Sequence, residues 1–200
     1  MAMLRHIAGS LTFSRRIRTV LDPKDLAALR EKSAEVVWPL TQKTHTIIQS
    51  MIQAIKDKGI AAGLAAPQIG FKQRVILCSF DRRFESLEVM INPRYEPLGN
   101  QKAEGWEGCF SVPRSMAIVS RWESIRASYS KPSGERVDQI LEGKAARIFQ
   151  HEYGHLEGEL IIDIAKVLKT FETEEAYQAF LQIIRSEEAP KSPKATALKI

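Results

Sequence analysis

Apolar positions recur at two spacings along the chain. In "TQKTHTIIQSMIQAIKDKG" residues Ile47, Ile48, Met51, Ile52 and Ile55 fall on one helical face, and Gly59 supplies a stop. "LDPKDLAALREKSAEV" predicts an earlier, short helix, with Asp22 as N-cap and Pro23 at the first helical position. "RVILCSF" and "LEVMINP" are apolar runs of strand length. "MAIVSRWESIRASYS" and "ERVDQIL" predict strands joined through the turn "KPSGE". Helical spacing returns in "GKAARIFQHEYGHLEG", which stops at Gly158, and in the amphipathic "TEEAYQAFLQIIRSEE". Strands followed by a buried helix predict an α+β fold. The expected architecture is a set of mixed or antiparallel sheets around a central helix, with N-terminal helices and a C-terminal helix.

Composition refines this picture modestly. The 200 residues are 44% hydrophobic and 26% charged, in keeping with one globular domain. No apolar run approaches the roughly 18 residues that span a bilayer, so no membrane partner is expected. The net charge of +5 permits contact with an anionic surface such as RNA without demanding it, and no specific nucleic acid is expected. Residues 1–16 form a basic extension whose Arg-rich, acid-free composition is shared by organellar transit segments and by plain bacterial extensions. One folded domain is expected over 17–188, and the tail 189–200 is expected to be disordered. Two cysteines and no secretory segment favour a reducing compartment: the bacterial cytoplasm, or alternatively an organelle matrix.

The chemistry concentrates in "FQHEYGHLEG". On a helix, His151 and His155 share one face and can both reach a metal ion at about 2.0–2.1 Å. Glu152 projects beside that face, where a general base for an activated water belongs. A third ligand is needed. Glu172, Glu174 and Glu175 downstream are candidates, and so is Cys109 in "WEGCFSVP". A free cysteine is commonly just a small buried apolar residue, which is the reading preferred for Cys78.

Three segments together resemble the peptide deformylase family: "AAGLAAPQ" (Ala61 to Gln68), "EGCFS" (Glu107 to Ser111) and "QHEYGH" (Gln150 to His155), with "INP" ahead of the second. The resemblance covers roughly Ile17 to Ile164. It implies a metal-dependent hydrolase that removes the N-formyl group from the formyl-methionine of nascent polypeptides and releases formate. It also implies that Cys109, His151 and His155 hold the metal, with Glu152 as base and then acid. Gln68 and the backbone N–H of Phe110 would stabilise the oxyanion, and Gly63 and Leu64 would shape the channel and pair with the peptide backbone. Fe²⁺ is the implied ion, replaceable by Zn²⁺, Ni²⁺ or Co²⁺, and the ribosome is a candidate partner. A deformylase-like protein of weak activity acting by binding, and a general zinc peptidase, are the alternatives.

The chain departs from the family pattern at three points. Ala61 stands where Gly is usual, Phe110 where Leu is usual, and Gly154 where the third motif usually carries Asp. Gly154 costs a helix about 1 kcal/mol relative to Ala. It also removes a carboxylate, and Arg121 is then expected to be left without its partner.

Overall fold

The computed structural model describes residues 16–59 and 62–188. The extension before Arg16, Ala61 and the tail from 189 onward therefore lie outside the described residues. Helix α1 (Pro23–Leu29) begins where Asp22 accepts a hydrogen bond from the Lys24 N–H at 2.8 Å. Helix α2 (Gln42–Lys58) is capped by Thr41 and ends at Gly59, whose φ of +81° suits a residue without Cβ. Its buried face is Ile47, Ile48, Met51, Ala54 and Ile55. That face packs on Leu64, Ile69, Val75, Leu77 and Ile91.

Two sheets follow, and every strand pairing within them is antiparallel. The larger has the order β1 (Gly63–Ala65), β2 (Val75–Cys78), β3 (Glu88–Pro97), β6 (Ser124–Ser130), β7 (Arg136–Glu142). The smaller has the order β4 (Lys102–Cys109), β5 (Val112–Trp122), β8 (Val167–Thr170). The segment expected to run as strand from Met116 to Ser130 divides at Glu123, and its halves belong to different sheets. The turn at "KPSGE" is where expected, closed by Lys131 N–H to Glu135 O at 2.8 Å.

Helix α3 (Gly143–Leu156) sits against both sheets. Ala146, Phe149 and Leu156 join the apolar core of the larger sheet. Polar side chains of the same helix reach the smaller one. Gln150 donates to the Trp122 carbonyl and accepts from its N–H. Arg147 donates to the carbonyls of Ala103 and Val119. After the short α4 (Ile161–Ile164), helix α5 (Glu174–Glu188) docks on the smaller sheet through Phe180, whose ring meets Trp106 edge to face at 5.1 Å. Among the described residues no helix is long and apolar enough to cross a membrane.

Candidate metal centre

Strand β4 ends at Cys109, and α3 presents His151 and His155 one turn apart. One ligand atom from each of the three lies within 4.8 Å of the others. Cys109 Sγ stands 3.3 Å from His155 Nε2. A tetrahedral ion held at about 2.0–2.3 Å would space such ligands about 3.3–3.7 Å apart. Burial alone would push the Cys109 thiol up. His155 and His151 beside it outweigh that effect and hold it well below its usual range, which favours the thiolate. One thiolate and two imidazoles suit Fe²⁺, Zn²⁺, Ni²⁺ or Co²⁺. Next to them Glu152 Oε2 is buried without a hydrogen-bond partner, an arrangement that a bound ion and its water would complete.

Of the two histidines, His151 is held from behind, whereas His155 Nδ1 is buried without a hydrogen-bond partner. His151 Nδ1 donates to Glu107 Oε2 at 2.9 Å, which leaves Nε2 facing Cys109 and His155. Glu107 also accepts from Arg121 at 3.1 and 3.0 Å and from Arg147 at 2.9 Å. Burial pushes the Glu107 carboxyl up, but His151 and Arg121 win and hold it well below the usual range. Glu152 follows the opposite course. Burial dominates, and its carboxyl is pushed up to about 7 despite the pull of His151 and His155.

Gln68 is buried, and its side-chain oxygen accepts the Ala65 N–H at 2.8 Å. That bond fixes the flip of the amide. Nε2 therefore points into the site, 3.6 Å from Cys109 Sγ and 3.2 Å from Ser111 Oγ. Phe110 lies in the tight connection between β4 and β5 and lines a cleft of about 1290 Å³ with Gly63, His151 and Glu152. The need for glycine at position 63 has a nearer cause than the expected approach of a peptide. A Cβ there would lie 2.5 Å from Glu152 Oε1 and 2.6 Å from its Cγ, so the glycine makes room for the base. The Leu64 side chain turns away from the cleft and is fully buried in the α2 core, leaving only its backbone at the edge of the sheet.

Two expectations are corrected. Arg121 is not without a partner: it forks onto Glu107, and its third nitrogen lies 3.4 Å from Glu159 Oε1. The downstream glutamates do not join the centre. Glu172, Glu174 and Glu175 are exposed, and among the described residues the metal-capable group is Cys109, His151 and His155. Sequence reasoning passed over Glu107 and Arg147 as supports. Glu107 lay inside a quoted motif, but its charge alone gave no sign that it would be buried between two guanidinium groups and an imidazole.

Fold and site together define a small α+β protein with a buried Cys/His/His group able to hold a metal ion. The family model for polypeptide deformylase matches residues 14–171, and the chain belongs to that family. A protein of Ralstonia nicotianae named peptide deformylase 2 is 39% identical over 125 residues, which is 59% of this chain and 70% of that one. The crystal structure of peptide deformylase from Thermotoga maritima superposes with a TM-score of 0.66 at 35% identity, covering 76% of this chain and 98% of that one. A Met-Ala-Ser-bound deformylase from Acinetobacter baumannii gives 0.67 at 26% identity, covering 77% and 99%. The chain is therefore an enzyme that removes the N-formyl group from newly made polypeptides.

Proposed function

We propose that Cys109, His151 and His155 hold one ferrous ion and that Glu152 moves the proton during deformylation. The observation that supports this most is the convergence of the three donors beside a buried carboxyl and an oriented amide. A divalent ion bound there would acidify water toward neutrality and polarise the formyl oxygen. Glu152, whose carboxyl is raised by burial, accepts the water's proton as its oxygen attacks the formyl carbon, and returns the proton to the leaving nitrogen as the C–N bond breaks. Gln68 Nε2 and the Phe110 N–H donate to the formyl oxygen as it gains charge, each such donor contributing about 2.7–4 kcal/mol in comparable oxyanion holes. Zn²⁺, Ni²⁺ and Co²⁺ fit the same donors.

Strand β1 forms an edge of the larger sheet, with Ala62 and Gly63 on the cleft wall. An extended peptide can add there by main-chain hydrogen bonds from Gly63 and Leu64, which favours tolerance of many sequences. The Met-Ala-Ser-bound structure of the Acinetobacter enzyme agrees with a short peptide as ligand. The same reading places the enzyme in a bacterial cytoplasm, acting on chains as they leave the ribosome. The test is turnover of formyl-Met-Ala-Ser against acetyl-Met-Ala-Ser and Met-Ala-Ser-Ala by the ferrous protein. Formate release from the first with no hydrolysis of the other two is expected, and cleavage of the unblocked peptide would instead indicate a general peptidase.

A further inference from the structure

Two guanidinium groups, of buried Arg121 and part-buried Arg147, converge on the single buried carboxylate of Glu107, which also holds His151. That leaves excess positive charge directly behind a site meant for a dication. The nearest further acid bonded to this group is Glu159, in the turn that follows α3. Its side chain reaches Arg121 Nη1 at 3.4 Å, and its own N–H donates to the Gly154 carbonyl at 2.9 Å. A Cβ built on Gly154 would lie 3.2 Å from Glu159 Oε1 and 3.7 Å from Glu159 Cβ. A side chain at 154 and the carboxylate of Glu159 therefore contend for the same space. The turn is fixed as well: Gly158 has φ +78°, and a Cβ there would strike the Arg30 carbonyl at 2.3 Å.

We infer that Glu159 is a positioning residue of the metal centre. Its carboxylate completes the clamp on Arg121, and Gly154 is glycine because that carboxylate occupies the place of a side chain. The acid missing from the helix has in effect moved five positions along the chain, to the far side of the same arginine. The inference rests on the reading that Cys109, His151 and His155 hold an ion, but not on the identity of the substrate.

The test is a cycle of Glu159→Gln, Gly154→Asp and the double variant, read in two ways without substrate. One reading is the rate at which the Co²⁺-loaded protein loses its ion to a chelator, followed by its visible absorption. The other is the thermal midpoint of the metal-free protein. Glu159→Gln should speed ion loss about two- to fivefold, as expected for a partly exposed charge pair. Gly154→Asp alone should also speed it, because two carboxylates are crowded together. The double variant should return to within about twofold of the parent, since one acid again faces Arg121 and the uncharged Gln side chain, no longer held by an ion pair at a part-exposed position, can turn out to solvent. Ion loss and midpoint unchanged in Glu159→Gln would overturn the inference, as would a double variant that merely sums the two defects. If the cycle couples as expected and formyl-Met-Ala-Ser is not turned over, only the catalytic reading fails.

Discussion

Glu107 shows how one carboxylate governs the centre at the scale of single residues. It takes hydrogen bonds from Arg121, Arg147 and His151 while almost fully buried, so its removal strips the acid from Arg147 and His151 and leaves Arg121 with Glu159 alone. Glu107→Gln should destabilise the protein by about 3 kcal/mol or more, because removing one member of a buried ionic group leaves the others unpaired. Chemical denaturation with and without metal measures it, and a loss below about 1 kcal/mol would mean that water already screens the cluster. Gln68 makes the contrasting case. Its oxygen is satisfied by Ala65 and its nitrogen faces the site, so Gln68→Leu should keep the metal and lower kcat about 10²-fold, in the range of a lost oxyanion donor. Metal analysis alongside steady-state formate release separates the two effects. At this scale the histidine pair was legible because H-E-x-x-H carries its own spacing, whereas Cys109 stood level with the downstream glutamates until the family resemblance favoured it. The supports were not, because Glu107, Arg121 and Glu159 meet only after β4, β5 and the turn past α3 come together.

Elements differ in how much of themselves they show in sequence. Helices α1, α2, α3 and α5 were legible because each combines an apolar stripe with a cap or a glycine stop. Strands β1, β4 and β8 were not. Strand β1 is only three residues long, with Gly63 and Ala65 flanking its one large side chain, and β8 is exposed throughout. Strand β4 buries Glu107 and Cys109, the residues of the site itself, where an ordinary strand would bury apolar ones. The break at Glu123 was hidden for a related reason: strand-like residues continue on both sides of a chain that changes sheets. Contact between β1 and α3 yields a prediction at this scale. Gly63→Ala should push the Glu152 side chain from its place, since the added carbon would sit 2.5 Å from Oε1. The variant should fold and bind metal, yet lose at least about tenfold in kcat, given how steeply rate depends on the position of a catalytic group. An unchanged kcat would show that Glu152 shifts freely.

Stability of the molecule as a whole should depend on acid in a defined direction. Burial pushes the Glu157 carboxyl up, but Arg74 at 2.6 Å, together with Lys32, holds it below its ordinary 4.5. A carboxyl depressed in the folded state contributes stability above its unfolded value and loses it as pH falls through the folded one. The parent should therefore lose stability as pH falls below about 4.5, and Arg74→Met should flatten that slope while lowering stability at neutral pH. Thermal midpoints across this range decide it, and parallel curves would exclude a role for the pair. Family membership at the scale of the whole chain rests on the match over residues 14–171, whereas the roles of individual residues rest on how α3 meets β4. The measurement that joins them is formate release per bound ion for the ferrous protein and for Glu152→Ala. The account predicts about one ion per chain in both and turnover of formyl-Met-Ala-Ser only in the parent. A Glu152→Ala protein that binds its ion and still releases formate at the parent rate would contradict it.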